Sequence, residues 1–320
     1  MSLARFAAGR AMSGALFALV VASLTLALAR AVAGDVMYED GALLTPEERA
    51  VRREELGLDR PWLQQYGQWL SGLARLDFGT SSHYRRPVRD LLGERAANTA
   101  LLAITALILA TAAGVPLGRL AGAHAGPLGR AIRAISLALL SVPPLLSALL
   151  LVYLAARSGW LPAGGMTSGG LTGTAWLFDV LKHLPVPALA LALPMAATLE
   201  RLQARAMADT IRRPFVTASR ARGLARDAAY RRHAWPVSLA PVLGTYGVLV
   251  GALFSGSFVV EVVTGWPGLG RLLFDGLRSR DVWLVAGCGA AGALSLAIGT
   301  TVADLAHAAI DPRVLEGRRT

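Results

Sequence analysis

Two side chains in the late part of the sequence have the chemistry of a serine–histidine dyad. Ser255, followed by Gly256, and His307 each lie in a long apolar segment, and a histidine can activate a serine hydroxyl within hydrogen-bond reach. If both segments cross a membrane in opposite directions, Ser255 lies near the outer face and His307 near the inner face. A helical rise of about 1.5 Å per residue then separates them by roughly 20 Å or more. The sequence therefore argues against an intramembrane enzyme.

The histidines and the cysteine do not form a metal-binding pattern. No His-Glu-x-x-His stretch occurs, and the five histidines are scattered along the chain. The single cysteine, Cys288, lies in an apolar run and can form no internal disulfide. We therefore expect no catalytic residue, cofactor or metal site. The histidines are His83, His124, His183, His233 and His307.

The basic residues contain no nucleotide-binding loop. Of 32 lysines and arginines, only Lys182 is a lysine, and no glycine-rich stretch precedes it. A phosphate-binding P-loop requires Gly-x-x-x-x-Gly-Lys-Ser/Thr, so the chain has no such ATP site of its own. Basic charge in a membrane protein collects in cytoplasmic loops, so the net charge of +11 does not indicate nucleic-acid binding.

The elements that carry these residues are apolar segments of membrane-spanning length. Hydrophobic residues make up 54% of the 320 residues and charged residues 17%, against about 25% charged in soluble domains. This composition excludes a disordered tail, a disulfide scaffold and an ordinary soluble α/β enzyme. A spanning helix needs about 20 apolar residues. Six segments qualify: Ala11–Ala29, Leu101–Gly118, Ala134–Ala156, Leu184–Leu199, Val237–Val260 and Val282–Ala303. The fourth is short and proline-rich, and we expect its helix to continue toward Met207 with a bend near Pro194.

The distribution of arginine predicts the orientation of these spans. Cytoplasmic loops carry an excess of lysine and arginine. Nine arginines lie between Arg201 and Arg232, whereas residues 34–96 carry eleven acidic residues against nine arginines. With six spans, both termini then lie in the cytoplasm. Ala31-Val32-Ala33 fits a signal-peptide cleavage site, but the preceding apolar run of 19 residues exceeds the usual 7–15 or so, so we expect an anchor helix.

Residues 62–73 predict an amphipathic helix in the first outer segment. Trp62, Leu63, Tyr66, Trp69, Leu70 and Leu73 recur at helical spacing, with three glutamines between them. Such a helix either lies on the outer leaflet with its aromatic rings at headgroup depth, or packs on neighbouring outer loops. The pattern leaves both alternatives open.

Residues 215–236 form the most informative cytoplasmic segment. Pro214 can open a short helix and Gly223 can end it in a left-handed conformation. A second short helix is predicted from near Ala225 to before Pro236. Small residues (Ala218, Ser219, Ala221) would let the first helix approach a partner protein closely, while Arg220 and Arg222 supply charge. The alternative is a basic loop that only sets topology.

This segment resembles the "EAA" coupling loop of binding-protein-dependent ABC importer permeases, with His233 ten residues after Gly223 and Pro236 beyond it. The fuller resemblance is to the B-type permease subunit of the dipeptide/oligopeptide/nickel branch, over about residues 11–313. The stretches that carry it, in chain order, are Leu56-Gly57-Leu58-Asp59-Arg60-Pro61, Leu76-Asp77-Phe78-Gly79-Thr80-Ser81, Glu94-Arg95 with Asn98-Thr99, Gly159-Trp160-Leu161-Pro162, Val260 to Gly270, and Asp311-Pro312-Arg313.

The resemblance implies an all-α polytopic protein with the six transmembrane helices of the type I ABC importer permease fold, in the inner membrane of a bacterial cell. It also implies three kinds of partner besides the lipid bilayer: a second permease subunit, two ATPase subunits and an extracytoplasmic solute-binding protein. ATPase-coupling residues would be Thr217, Ala218, Ser219, Arg220, Arg222, Gly223 and His233. An outer gate or a binding-protein contact would involve Glu261, Trp266, Pro267 and Gly268.

The domain organisation follows from these assignments. We expect an anchor helix over residues 1–33, an extracytoplasmic loop with amphipathic helices over 34–96, a five-helix core over 97–313 that contains the coupling loop 209–236, and a cytoplasmic tail over 314–320. The function that the resemblance implies is that of a permease subunit in an ATP-driven importer for peptides or a related small solute. The alternative function is an ion-coupled secondary transporter, which would need carboxylates embedded in the membrane. Only Asp304 is a candidate, and pairing with a nearby arginine is its alternative role.

Overall fold

The computed structural model describes residues 3–33, 38–39, 42–43, 45–55, 59–73, 75–124 and 126–310. Three sequence features named above, Leu56–Leu58, Asp311–Arg313 and the tail 314–320, lie outside the described residues. The described part is mainly helical. Its elements are α1 (Leu3–Ala33), β1 (Tyr38–Glu39), β2 (Ala42–Leu43), α2 (Pro46–Glu55), α3 (Trp62–Leu73), α4 (Val88–Ala123), α5 (Pro127–Leu140), α6 (Pro144–Ser158), α7 (Gly173–His183), α8 (Pro185–Thr210), α9 (Pro214–Ala221), α10 (Arg226–Ala229), a π-helix (Tyr230–Ala234), α11 (Trp235–Ser238), α12 (Ala240–Leu243), α13 (Tyr246–Thr264), α14 (Leu269–Arg278) and α15 (Val282–Ile310). The two strands form an antiparallel pair.

Four described helices are long and apolar enough to cross a membrane, and two bent helix pairs raise the number to six if each pair is one span. The four are α1, α4, α13 and α15; the pairs are α5 with α6 and α7 with α8. The all-α polytopic fold with six predicted spans agrees with this arrangement. Some helices are longer than the apolar segments predicted for them: α4 already starts at Val88, and α15 continues to Ile310. The expected domain boundary at residues 96/97 therefore falls inside α4.

The prediction of one continuous third helix over Ala134–Ala156 is wrong. α5 ends at Leu140, α6 begins at Pro144, and the two meet at 100°. Pro143 and Pro144 explain the break. Neither residue has an N–H group to continue the helical ladder, and each ring clashes with the preceding turn.

The fourth and fifth spans also differ from their predicted outlines. α8 continues to Thr210, as expected, but the 40° break lies at Leu184, between α7 and α8. The segment predicted as a helix from Val237 instead comprises α11, α12 and the long helix α13, which begins at Tyr246. Pro241 interrupts regular hydrogen bonding in this stretch.

The chain divides into two compact units. The first comprises residues 1–8, 101–266 and 299–320, and its core surrounds α8. Gly114, Gly118 and Gly122 recur at four-residue steps along α4 and face α8. A Cβ atom on them would lie 2.7–2.8 Å from the Cβ atoms of Leu199, Gln203 and Met207, and closer still to backbone carbonyl oxygens of α8. Small residues at this spacing let two helix backbones touch.

The second unit comprises residues 9–100 and 267–298. Its amphipathic helix α3 was correctly predicted. Trp69 is buried in a cluster with Ala22 and Leu26 of α1 and with residues of α15, and the hydroxyl groups of Tyr66 and Ser23 are 2.9 Å apart. The apolar face of α3 thus packs on spanning helices, which is neither of the two environments that the sequence suggested for that face.

A buried carboxylate organises the start of α15 in this unit. Asp281 is 1% exposed, and its Oδ2 accepts from the Ser81 hydroxyl at 2.6 Å and from the His83 N–H at 3.1 Å. Its Oδ1 accepts from the Leu284 N–H at 3.1 Å, which caps the helix. The Tyr84 hydroxyl donates to Asp275 at 3.1 Å. Burial, and next the Asp275 charge, raise the pKa of Tyr84, so this donor remains protonated at neutral pH.

Candidate functional site

The short helix α9 is fixed to the first unit by one of its faces. Pro214 occupies its first turn, where a missing N–H is tolerated. Val216 and Ser219 are buried, and Val216 lies in a cluster with Ala123, Met207 and Tyr230. The opposite face of α9 is exposed. A helix held in this way presents a defined surface instead of a flexible loop.

Gly223 ends α9 in the predicted left-handed conformation, with φ of +92°. The Gly223 N–H donates to the Arg220 carbonyl at 2.9 Å, and the Leu224 N–H donates to the Ser219 carbonyl at 3.3 Å. These are the two hydrogen bonds of a Schellman motif. Among the described residues, apart from the two neighbours of Gly223 in the chain, no atom lies within 4 Å of a Cβ built on Gly223, so the restriction on this position comes from backbone conformation.

The structure brings most of the predicted coupling residues to one exposed surface. Thr217, Ala218, Arg220, Arg222 and Gly223 are all exposed. Ser219 is the exception, because it is 5% exposed and its hydroxyl donates to the Val216 carbonyl at 2.7 Å. In this conformation Ser219 supports the helix from within and cannot approach a partner. His233 is partly buried.

The predicted second helix continues further than expected. α10 leads into the π-helix, which contains His233, and then into α11, so the helical path passes through Pro236. Pro236 is in the first turn of α11, where its missing N–H interrupts little. π-helical turns often occur at functional sites. The sequence carried no signal for this turn.

A buried polar group connects this region to the spanning helix α8. Gln203 and Ser238 are almost fully buried, and Gln203 Nε2 donates to Ser238 Oγ at 2.8 Å. Glu200 lies one turn earlier on α8 and is 1% exposed. Among the described residues, neither oxygen of Glu200 has a hydrogen-bond partner. Sequence reasoning missed this group, although glutamate and glutamine at i and i+3 in an apolar helix are a recognisable signal.

Two sequence motifs meet in the second unit. Asn98 Nδ2 donates to the Pro267 carbonyl at 2.8 Å, and the Leu269 N–H donates to Thr99 Oγ1 at 2.8 Å. Asn98-Thr99 on α4 thus fixes the loop before α14. These motifs are about 170 residues apart in sequence, and no local pattern could predict their contact.

In the first unit, Glu261 and Trp266 are both 0% exposed. The Gly165 N–H donates to the Thr264 carbonyl at 2.8 Å, so the loop after α6 covers the end of α13. Glu261 is therefore shielded from solvent in this conformation. Of the other two predicted outer residues, which lie in the second unit, Pro267 is partly buried and Gly268 is buried.

The glycines of the fifth span serve packing. A Cβ atom on Gly244 would lie 3.1 Å from the His307 ring, and one on Gly256 would lie 3.1 Å from Leu191. His307 therefore lies level with Gly244, eleven residues before Ser255. At about 1.5 Å per residue the two side chains are roughly 15 Å apart along the helix, which argues against a dyad. Asp304 Oδ1 would lie 3.6 Å from a Cβ on Gly247, so it faces α13.

No group of three histidine, cysteine, aspartate or glutamate side chains converges within the described ranges, so none of these residues is assigned to a metal. The geometry instead comprises an exposed basic helix at one end of α8 and a buried carboxylate with a buried indole at the end of α13. Neither arrangement contains an activated nucleophile.

Comparison with known proteins supplies the family. Residues 114–316 match the family described as binding-protein-dependent transport system inner membrane component. The oligopeptide transport system permease protein OppB of Mycobacterium tuberculosis is 34% identical over 272 residues, which cover 82% of this chain and 83% of the relative. AppB of Bacillus subtilis, also an oligopeptide transport system permease protein, is 30% identical over 91% of this chain and 93% of its own length.

The dipeptide transport system permease protein DppB of Escherichia coli K12 is 31% identical, with 91% of this chain and 93% of the relative covered. These similarities extend over nearly the whole described structure, including the bent helix pairs and the α9 region. The chain belongs to the inner-membrane components of binding-protein-dependent transport systems, as a multi-pass permease subunit of an ABC importer.

Proposed function

We propose that the chain forms, together with a second permease subunit, the translocation pathway of an ATP-driven importer for peptides. The relatives named for oligopeptide and dipeptide transport support the substrate class. Separate ATPase subunits hydrolyse the ATP in this proposal, which agrees with a sequence that contains no P-loop. An extracytoplasmic binding protein delivers the peptide.

The observation that carries this proposal is the exposed face of α9. The face carries Thr217, Ala218, Arg220, Arg222 and Gly223, and it is held in place by the buried Val216 and the Schellman motif. A rigid helix with small and cationic residues on its outer face can dock into a groove of an ATPase and transmit its movement. Through Ser238 and Gln203, the same region is hydrogen-bonded to α8. His233 is partly buried in the π-helix of the same region.

For the outer side, we propose that Glu261 belongs to a gate. Its complete burial beside the loop after α6 agrees with a closed outer end of α13. Trp266 is the buried anchor of that loop region, while Pro267 and Gly268 shape the turn that follows. Direct contact of Trp266 with a binding protein would require this region to open.

Substitution of Gly223 tests the coupling role. Gly223→Asp places a carboxylate on the exposed face at a left-handed position, and we expect peptide uptake in cells to fall about tenfold, within the range of a lost coupling free energy of 1–3 kcal/mol. Gly170→Asp is the matched control, because Gly170 also has a positive φ and open space around its Cβ position, but lies in the loop after α6. Normal uptake with Gly223→Asp would count against the proposal.

A second measurement distinguishes the proposed ATP-driven importer from an ion-coupled transporter. Under the proposal, uptake is abolished by vanadate and the chain copurifies with an ATPase. Uptake that a proton or sodium gradient drives without ATP would favour the rival, for which Asp304 is the candidate carboxylate.

A further inference from the structure

A cavity of about 520 Å³ in the first unit is lined by five arginines and no carboxylate. It lies where α4 and α8 end and where α5 and α10 begin. Its arginines come from three helices and from the turn after α8. They are Arg133, Arg201, Arg205, Arg212 and Arg226, and His124 is also in the lining.

The arginines of α8 form one stripe that faces this cavity. Arg201 and Arg205 are four residues apart on α8, so their side chains point in nearly the same direction, and Arg212 lines the cavity from the turn that follows. Like charges four residues apart on a helix repel each other and destabilise it. Throughout the described part of the chain, none of the five arginines makes an ion pair with a carboxylate. The lining of the cavity therefore carries several positive charges and no carboxylate.

Two of the arginines are already oriented by the backbone. Arg133 Nη1 donates to the Ala121 carbonyl at 2.6 Å, and Arg226 Nη2 approaches the Ala123 carbonyl at 3.4 Å. These carbonyls belong to the last turn of α4, which has no helical donors for them. A guanidinium group has five N–H donors, so most donors of both arginines are still available. A neighbouring cavity of about 300 Å³ differs, because Asp227 lies among its arginines.

The surroundings of the cavity indicate what kind of anion it binds. Leu137 and Ile211 line it beside the guanidinium groups. Leu140, three residues further on and on the same face of α5, is also exposed. A free phosphate ion makes no use of an apolar wall, whereas a phospholipid places its phosphate among the arginines and its acyl chains along α5. Basic pockets between membrane helices bind anionic headgroups in this manner.

We propose that this cavity binds the phosphate of an anionic phospholipid from the cytoplasmic leaflet. The leaflet assignment rests on the proposed orientation, whereas phosphate binding by the arginines does not. The phosphate would accept bidentate hydrogen bonds from the guanidinium groups, and its negative charge would offset the repulsion between the arginines of α8. The lipid would also tie the ends of α4 and α8 to α5, next to the region that bears α9.

The test measures lipid retention by the full chain. The protein is purified from nanodiscs of phosphatidylcholine with or without phosphatidylglycerol, and lipids that stay bound are counted by native mass spectrometry. We expect retained phosphatidylglycerol to fall roughly fivefold or more in the double variant Arg201→Gln/Arg205→Gln, because each arginine contributes separately to anionic-lipid affinity. The control variant Arg130→Gln/Arg232→Gln removes the same charge from exposed sites outside the cavity and should retain wild-type levels.

Each other result contradicts the proposal. Equal losses in both double variants would mean that only net charge matters. Equal retention of phosphatidylcholine would remove the requirement for an anion, and thermal stabilisation by inorganic phosphate but not by phosphatidylglycerol would assign the site to a free ion. If these arginines were shielded from chemical modification only when partner subunits are bound, and not by lipid, the cavity would be a protein interface.

The variant Arg201→Lys/Arg205→Lys keeps the charge and should restore part of the lipid retention. It thereby shows that the loss in the glutamine variant is not caused by misfolding. None of these readouts depends on ATP or transport, so their failure is distinct from failure of the proposed function.

Discussion

At the scale of single residues, two buried carboxylates occupy opposite electrostatic situations. Asp281 and Glu200 are each 1% exposed. Asp281 accepts three hydrogen bonds, from the Ser81 hydroxyl and two backbone N–H groups, whereas no described group donates to Glu200. A buried polar group is stabilising when paired and destabilising when not, so the same chemical change should have different effects at the two sites.

We predict that Asp281→Asn lowers the free energy of unfolding by about 2–3 kcal/mol, because an amide group cannot accept at both ends of the network. Glu200→Gln should leave stability unchanged or raise it, since it removes a charge with no described partner. Thermal unfolding of both variants in detergent measures the difference. A larger loss at Glu200 than at Asp281 would contradict the assignment of partners.

Neither carboxylate was singled out by sequence reasoning, for different reasons. Asp281 precedes a predicted helix and resembles many capping residues, while its partner Ser81 is 200 positions away, so only the fold reveals the network. Glu200 was visible in the apolar pattern, where the fourth span was expected to extend past it. Gly223 was predicted correctly because a C-terminal cap depends on local sequence alone.

At the scale of elements, the contact between α4 and α8 depends on three glycines. Gly114, Gly118 and Gly122 bring the two backbones together along about two helical turns. The four-residue spacing was present in the sequence but was not used as a packing signal. Proline signals were partly missed as well, since Pro143-Pro144 break a span that was predicted as continuous.

We predict that Gly118→Ala lowers the melting temperature by several degrees, corresponding to about 2–3 kcal/mol, because the new methyl group overlaps with Gln203 Cβ and a carbonyl of α8. Gly93→Ala is the matched control on the same helix, since no atom lies within 4 Å of its Cβ position. Replacing this exposed glycine should be neutral or slightly stabilising, because alanine favours helices. Equal melting temperatures for the two variants would exclude the close contact.

At the scale of the whole molecule, composition and charge pattern were sufficient to predict the class of protein. The six apolar segments correspond to four long helices and two bent pairs, and the arginine-rich stretch contains the α9 region. The angles of the bends at Leu184 and Pro143 could not be predicted from hydropathy. The hydropathy pattern shows which residues are apolar, but not the angle at which successive helices meet.

The proposed orientation predicts which loops react with a reagent that cannot cross the membrane. Cys288 is the single cysteine and is buried, so Cys288→Ala provides a background without thiols. In that background, a membrane-impermeant maleimide added to intact cells or spheroplasts should label Thr172→Cys, in the exposed turn before α7. Arg232→Cys, in the region after α9, should be labelled only after the membrane is permeabilised. The reverse pattern would invert the orientation.

The break between α5 and α6 limits what can surround it in a bilayer. Pro143 and Pro144 have no N–H group for the carbonyl groups of Leu139 and Leu140 at the end of α5, and although the Val142 N–H donates to the Leu139 carbonyl at 3.2 Å, regular helical donors are missing here. Hydrocarbon cannot supply the missing donors, and backbone outside a helix is tolerated at membrane depth only against protein or water. If the turn lies within the membrane, its solvent is therefore not lipid. In that case the turn either packs against a neighbouring subunit or faces water in the route of the solute.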